Sequence, residues 1–204
     1  MLDLLASQPF AFILIFGGIL LAIGFHEAAH CYMADYLGDP TPRSQGRTTL
    51  NPLAHLDPIG TLTILITGFF GWGKPSPYDP YNLKDPKRDT ALIALAGPAS
   101  NLVMAFLISL PFRFISIPAS VSEIVLRLIY LNITLAFFNL IPVPPLDGSK
   151  ILGLFLSNES AVRFENRSNI LLLLLLILPI FGGNSIAGLI ISPVSGFFLH
   201  LLLP

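Results

Sequence analysis

Charged side chains are scarce in this chain. Asp, Glu, Lys and Arg make up 11% of its 204 residues, whereas an ordinary soluble domain has about 25%. Hydrophobic residues make up 53%, and the mean hydropathy is +0.75. The sequence has no basic patch, which argues against nucleic acid as a partner. The composition therefore predicts a protein that crosses a lipid bilayer several times and has the bilayer as its main surroundings.

Cysteine is nearly absent as well. The single cysteine, Cys31, excludes a disulfide within the chain. Cys31 follows His30 directly, but adjacent side chains on a helix point in different directions. A small buried thiol is therefore favoured over a metal ligand at this position.

The apolar segments predict about five spanning helices. No Lys or Arg precedes the first run, so it is interpreted as a retained helix and not as a cleaved signal. A spanning helix needs about 20 apolar residues. The predicted spans are residues 4–34, 91–112, 123–141, 168–181 and 186–203. The break at Gly182-Gly183-Asn184 favours a helical hairpin over 168–204, and a single kinked helix stays open.

The apolar segment 59–72 has only 14 residues and three glycines, which is more typical of a re-entrant segment than of a span. If it dips and returns, nine Lys and Arg residues fall on one side, against Arg113 on the other and Arg127 within a span. Basic residues accumulate on the cytoplasmic side of a membrane. The charges therefore predict an outside N-terminus and a cytoplasmic C-terminus, although a spanning 59–72 remains open.

Two polar segments, 39–58 and 73–90, are rich in Pro, Gly, Asn and Asp. They predict turns and short strands, with Thr48-Thr49-Leu50 as one candidate strand. The predicted fold class is thus an all-α polytopic membrane protein with a re-entrant hairpin and short β-strands.

A pattern with chemical meaning follows the first apolar run. Residues 25–30 read Phe-His-Glu-Ala-Ala-His, so His26 and His30 lie four positions apart, on one face of a helix. Both rings can direct a nitrogen at one metal ion, and Glu27 can act as a base on water at that metal. Placing these groups beside an apolar run is costly in lipid and favours a functional role. The first hypothesis is a zinc hydrolase within the bilayer.

A catalytic zinc site usually takes a third protein ligand. Asp147 is the strongest acidic candidate, because it ends the uncharged run 128–146 and directly follows a proline-rich stretch. Those prolines must break the helix, and unwound backbone at membrane depth is tolerated where it lines a buried or wet cavity. His200, near the end of an apolar helix, is interpreted as an interfacial residue.

His55 lies in an Asn51-Pro52 to Asp57-Pro58 stretch. Turn formation started by Asn51 and Asp57 is favoured there, with a role for His55 close to the metal ligands as the alternative.

Three motifs in this order resemble the site-2 proteases, the intramembrane zinc metallopeptidases, in their compact bacterial subgroup without PDZ or CBS domains. The motifs are His26 to His30, Ala96-Gly97-Pro98-Ala99-Ser100-Asn101, and Asn139-Leu140-Ile141-Pro142-Val143-Pro144-Pro145-Leu146-Asp147-Gly148. The resemblance covers about residues 15–155. The expected organisation is one membrane-embedded peptidase domain, residues 1–204, with a motif-free tail over 168–204.

The resemblance implies that His26, His30 and Asp147 bind one zinc ion per chain and that Glu27 is the general base. Asn139 corresponds to the family's asparagine that is thought to hold the substrate or the oxyanion, with an interhelical hydrogen bond as the alternative role. Asn101 is expected to mediate close helix packing, and the alternative for both Asn101 and His55 is a role beside the metal ligands.

The implied function is hydrolysis of peptide bonds in or near the transmembrane segments of membrane proteins. The implied location is the cell membrane, with the site toward its cytoplasmic half. A zinc transporter and an inactive scaffold for transmembrane partners are the alternatives. The predicted ligands lie at one level of the membrane, which argues against a transporter. The presence of all three ligands and of Glu27 argues against an inactive scaffold. The sequence indicates neither the substrate nor the oligomeric state.

Overall fold

A computed structural model describes residues 1–68, 71–166, 179–181 and 184–203, which are mostly helical. The α-helices are α1 (Leu2–Ser7), α2 (Pro9–Tyr36), α3 (Thr41–Ser44), α4 (Pro58–Thr67), α5 (Pro86–Ser109), α6 (Ala119–Asn139), α7 (Asp147–Gly153), α8 (Asn158–Asn166) and α9 (Ile186–Leu202). Short 3-10 turns cover Pro52–Ala54, Pro80–Asn82 and Leu110–Arg113. Strand β1 (Pro179–Phe181) pairs antiparallel with β2 (Asn184–Ser185).

Three of the described helices are long and apolar enough to cross a membrane: α2, α5 with the 3-10 turn that follows it, and α6. With 28 residues, α2 is about 42 Å long, which exceeds the roughly 30 Å of a hydrocarbon core. These helices correspond to the first three predicted spans and confirm a mostly helical chain with several apolar helices. Helix α9 is apolar but has 17 residues, and the predicted span 168–181 lies almost wholly outside the described residues.

Helix α5 lies at the centre of the bundle and packs against α2, α6 and α7. Small side chains line its contacts, since Ala94, Gly97 and Ala105 are all buried. In the absence of a hydrophobic driving force between helices in lipid, such residues let backbones approach closely and gain dispersion energy. The packing brings the end of α2 and the start of α7 against the first half of α5.

Helix α4 packs Ile64 against Ile19 and Ile23 of α2, and the chain then returns to the point where α4 began. The Asp57 carboxylate caps α4 by accepting from the Gly60 N–H at 2.7 Å. Gly68 ends α4 with a φ of +84°, which favours glycine. Gly73 then pairs with Leu56 in an isolated antiparallel bridge. The ten residues of α4 cover about 15 Å, half of a hydrocarbon core. The shape suits a dipping hairpin, whose depth in the membrane stays a prediction.

The candidate strand at Thr48-Thr49-Leu50 was predicted wrongly, because these residues form bends. The backbone carbonyl of Thr49 is hydrogen-bonded to the His55 ring, Nε2 to O at 2.9 Å, so the loop closes on itself without a partner strand. Asn51 caps the 3-10 turn by accepting from the Leu53 N–H at 3.1 Å. The turn-forming roles predicted for Asn51 and Asp57 are confirmed. In the described part of the two polar segments, the Leu56–Gly73 bridge is the one β-type pairing.

A fully buried carboxylate, Asp39, ties the loop after α2 to the loop before α5. It accepts from the Thr41 N–H at 3.0 Å, the Thr41 hydroxyl at 2.6 Å, the Asp79 N–H at 2.7 Å and the Asn82 side-chain amide at 2.8 Å. Burial raises the pKa of Asp39, but these hydrogen bonds outweigh burial and hold the pKa below its ordinary value.

Replacing Asp39 by asparagine is expected to lower the free energy of unfolding by about 2 kcal/mol at pH 7. The NH2 group of asparagine cannot accept the hydrogen bonds that one carboxylate oxygen now accepts, so buried donors would lose their partner. A carboxylate with a lowered folded pKa contributes stability above its unfolded pKa of about 3.9 and loses it as the pH falls through the folded pKa. The difference between wild type and Asp39→Asn should therefore shrink below about pH 4. Thermal unfolding in detergent micelles at several pH values measures this stability difference. The control is Asp3→Asn, at an exposed position. A difference that does not change with pH would contradict this explanation.

Candidate metal centre

Three buried side chains converge where α2 and α7 meet. His26, His30 and Asp147 are exposed by only 5%, 6% and 6%. Asp147 Oδ2 lies 3.1 Å from His26 Nε2 and 3.3 Å from His30 Nε2. One ligand atom from each residue lies within 4.8 Å of the others, and among the described residues this is the group of His, Cys, Asp and Glu side chains close enough for a metal ion.

The local sequence explains why Asp147 reaches the two histidines. Helix α6 ends at Asn139 and α7 begins at Asp147, so the proline-rich stretch between them is unwound, as predicted. The chain folds tightly here, because a Cβ on Gly148 would lie 2.2 Å from the Leu140 carbonyl oxygen. Asp147 thereby stands at the N-terminus of α7, facing the last turns of α2.

The outer nitrogen of each histidine ring is held by α5. His26 Nδ1 lies 2.6 Å from Asn101 Oδ1, and His30 Nδ1 lies 2.6 Å from the carbonyl oxygen of Ile93. Both partners are acceptors, so each Nδ1 carries a hydrogen and donates it. Each Nε2 is then left with a lone pair that faces the carboxylate. Oxygen acceptors behind the ring are the usual partners of histidine ligands.

Asn132 is a buried polar residue that the sequence interpretation missed. Its Oδ1 accepts from Asn101 Nδ2 at 3.1 Å, and its own Nδ2 donates to the Leu128 carbonyl at 2.9 Å. Asn101 Nδ2 also lies 3.1 Å from the Ala22 carbonyl. Asn101 therefore joins α2, α5 and α6, which combines the helix packing expected of it with a contact to His26. The sequence did contain a signal for Asn132, because a polar side chain within an apolar membrane span favours a functional or structural role.

Gly97 provides the space that the rings occupy. A Cβ at this position would lie 2.4 Å from His30 Nε2 and 2.6 Å from His26 Nε2. Atoms do not approach so closely, so α5 can lie this near to the two rings only with glycine here.

Glu27 contacts the segment beyond the α4 hairpin, residues 73–76. The Ser76 hydroxyl oxygen lies 2.7 Å from Glu27 Oε2 and 2.8 Å from the Glu27 carbonyl oxygen. The Glu27 side chain is partly buried. Glu27 directly follows His26 in the sequence, but it is not one of the three side chains that converge on the metal position.

The other candidate residues make their side-chain hydrogen bonds to groups other than the three ligands. Asn139 Nδ2 donates to the Leu135 carbonyl at 2.9 Å, one turn back on its own helix. His55 is fully buried between Thr49 and Arg47, and burial lowers the pKa of its ring. His200 is exposed near the end of α9, and Cys31 is a buried thiol.

The charges around Asp147 favour its ionised form. The ammonium group of Lys150 is an opposite charge close to this carboxylate, and a nearby opposite charge favours the ionised form. Lys150 Nζ lies 4.0 Å from Asp147 Oδ1 and 5.3 Å from the centre of the Tyr78 ring. The sequence interpretation did not single out either Lys150 or Tyr78.

The arrangement fits a zinc ion. Zinc–ligand bonds of about 2.0–2.2 Å at tetrahedral angles place ligand atoms about 3.3–3.6 Å apart. The observed distances from Asp147 Oδ2, 3.1 Å and 3.3 Å, lie close to the lower end of this range. Imidazole nitrogens and a carboxylate oxygen are ligands that zinc accepts, and three of them leave a fourth position for water or substrate.

Comparison with known proteins points in the same direction. A family model described as "Peptidase family M50" matches residues 114–179, which include Asn139 and Asp147. "Putative zinc metalloprotease YwhC" of Bacillus subtilis is 40% identical over 143 residues, 66% of this chain and 65% of that protein. "Putative zinc metalloprotease MJ0611" of Methanocaldococcus jannaschii is 31% identical over 152 residues, 72% of this chain and 74% of that protein.

A further relative, "Putative zinc metalloprotease Rip2" of Mycolicibacterium smegmatis, is 34% identical over 155 residues, 73% of this chain and 60% of that protein. The chain thus spans less than two thirds of the length of two of these relatives. No solved structure matches the chain.

Proposed function

Because the chain belongs to peptidase family M50, the site-2 proteases that its motifs resemble, we propose that it cleaves peptide bonds in or near transmembrane segments of membrane proteins. The observation that carries the proposal is the convergence of His26, His30 and Asp147 inside a bundle of apolar helices. Zinc and metalloprotease chemistry follow from the family, whereas the membrane-embedded substrate is our inference from the position of the site.

In this proposal His26, His30 and Asp147 hold one zinc ion. Such an ion would supply a Lewis acid for the scissile carbonyl and for water. Asn101 and the Ile93 carbonyl orient the two imidazole rings, so that their Nε2 atoms face one position before the ligand arrives. Asn132 supports Asn101 from α6.

Glu27 is the proposed general base. Its carboxylate would take a proton from the attacking water and pass it to the leaving amine. Asn139 is proposed to donate to the oxyanion that develops on the substrate carbonyl. A neutral carboxamide can do so without adding a buried charge. One hydrogen of its amide group bonds to the Leu135 carbonyl, and the second would make the bond to the oxyanion.

The helix contacts support one orientation for the site in the cell membrane. His30, near the end of α2, touches Ile93, near the start of α5, so both helix ends lie on one side of the bundle. The intervening residues 37–85, including α4, therefore begin and end on that side. This favours a re-entrant α4 and an outside N-terminus, with the site toward the cytoplasmic half. The end of α9 lies beside Arg113, whose guanidinium donates to the Leu201 and Leu202 carbonyls at 3.5 Å and 3.3 Å. These contacts favour the outer side for the C-terminus, and not the cytoplasmic side that the sequence predicts. Water would enter through the polar loops.

Cysteine labelling tests this topology. Arg43→Cys and Lys87→Cys are expected to react with a membrane-impermeant maleimide in inside-out vesicles and not in intact cells. Arg113→Cys serves as the matched control and should show the opposite pattern. Labelling of positions 43 and 87 from opposite faces would refute the re-entrant assignment of the α4 segment.

The proposed activity is tested by comparing membranes that contain the wild-type protein with membranes that contain a His26→Ala/His30→Ala double variant. Mass spectrometry of labelled N-termini should find new termini within predicted transmembrane segments only in the wild-type membranes. A zinc transporter or an inactive scaffold would produce no such termini. Their absence from several hosts that make folded wild-type protein would reject the proposed function.

A further inference from the structure

The segment of residues 73–76 crosses the face of α2 that carries Glu27. A Cβ on Gly73 would lie 2.8 Å from Ile23 Cγ2 and 2.9 Å from Glu27 Cγ, so this backbone touches the Glu27 side chain. Three residues further on, the Ser76 hydroxyl lies 2.7 Å from Glu27 Oε2. The Glu27 side chain therefore has backbone packed along its stem and a hydroxyl group at its carboxylate.

The 73–76 segment is fixed from its other side by contacts that do not involve Glu27. The Lys74 N–H donates to the His55 carbonyl at 2.8 Å. The Arg47 guanidinium, which is 4% exposed, donates to the Lys74 carbonyl at 2.8 Å and to the Pro75 carbonyl at 3.4 Å. Because these bonds hold the backbone, the Ser76 hydroxyl is presented at a defined position.

The hydroxyl hydrogen has two oxygen acceptors within reach and can serve one at a time; the neighbouring Cys31 thiol also interacts with this hydroxyl, as a weaker partner. The Glu27 carbonyl oxygen is 2.8 Å away, but within an α-helix it already accepts the N–H four residues on. The carboxylate oxygen is charged, and hydrogen bonds to charged acceptors are roughly twice as strong as neutral ones. The hydrogen therefore goes to Oε2 and selects one rotamer of a flexible side chain.

We propose that Ser76 is a positioning residue that fixes the orientation of the Glu27 carboxylate for proton transfer. Arg47 and His55 act one step further out, by holding the backbone from which Ser76 extends. The inference rests on the proposed role of Glu27 as the base. It goes beyond that role by assigning the control of its geometry to a loop outside the family's three motifs.

Kinetics of the purified full-length protein test the proposal, with a peptide that spans a cleavage site found in the membrane comparison as substrate. Ser76→Ala should lower kcat about tenfold, the effect of one lost charge-assisted hydrogen bond. KM and zinc content should not change, and Ser76→Thr should restore kcat. Ser109→Ala is the matched control, because that buried hydroxyl donates to the Phe106 carbonyl within its own helix, α5, at 2.7 Å. An unchanged kcat, or a raised KM alone, would overturn the proposal.

A second readout does not need activity. The infrared difference spectrum of wild type minus Glu27→Gln isolates the carboxylate stretch of Glu27. That band should shift in Ser76→Ala, return in Ser76→Thr and stay in place in Ser109→Ala. If the wild type cleaves nothing but the band shifts, the proposed function fails while the Ser76 contact stands. A band that does not move in Ser76→Ala shows that the hydroxyl does not hold Glu27, and overturns the proposal.

Discussion

Replacing Gly97 by alanine is expected to abolish zinc binding and, with it, proteolysis. The new methyl group would lie 2.4 Å from His30 Nε2 and 2.6 Å from His26 Nε2, in the space where both ligand atoms stand. Neither ring can retreat easily, because its outer nitrogen is hydrogen-bonded to α5 itself, at Asn101 and at Ile93. A single added carbon therefore acts on two ligands at once.

The measurement is zinc per chain by mass spectrometry after gel filtration, with about one equivalent expected for the wild type and less than a tenth for Gly97→Ala. Gly17→Ala and Gly196→Ala are matched controls, since a Cβ at either position meets no atom within 4 Å. Overpacking costs about 1–3 kcal/mol, so thermal unfolding should show a folded variant. A full equivalent of zinc in Gly97→Ala would contradict the site.

The second large effect is expected from Glu27→Gln, which keeps the size of the side chain and removes the base. Turnover should fall by about 1,000-fold, within the range for loss of a general base. Zinc should be retained, because Glu27 is not among the residues that converge on the metal position. Retention of zinc together with loss of cleavage separates a protease from a transporter or a scaffold, neither of which needs this carboxylate as a base.

The exposed Glu159→Gln is the control, because that carboxylate pairs with Arg163 on its own helix, α8. It should cleave at the wild-type rate. If Glu27→Gln loses its zinc, the carboxylate holds the metal and does not act on water. If it cleaves within tenfold of the wild type, Glu27 is not the base.

The parts of the site that could be predicted depend on local rules. Helical spacing alone places His26 and His30 on one face, and prolines alone require a break before Asp147. Apolar length finds α2, α5 and α6 without knowledge of their neighbours. Each of these inferences needs only a short stretch of sequence.

The parts that could not be predicted are contacts between distant stretches. Nothing near Ser76 in the sequence indicates that it meets Glu27, 49 positions earlier. Asn132 is only a polar residue in an apolar run until α5 presents Asn101 to it. The strand predicted at 48–50 failed for the same reason: β-propensity does not state whether a partner strand is present, and the His55 ring bonds the Thr49 carbonyl instead.

Helix α5 contributes none of the three converging ligands, yet it carries Asn101, the Ile93 carbonyl and Gly97. A designer who grafted two histidines and an aspartate onto another pair of helices would therefore transfer the ligands without the parts that aim them. The smallest transplantable unit is three helices, and its most demanding position is one that has no side chain at all.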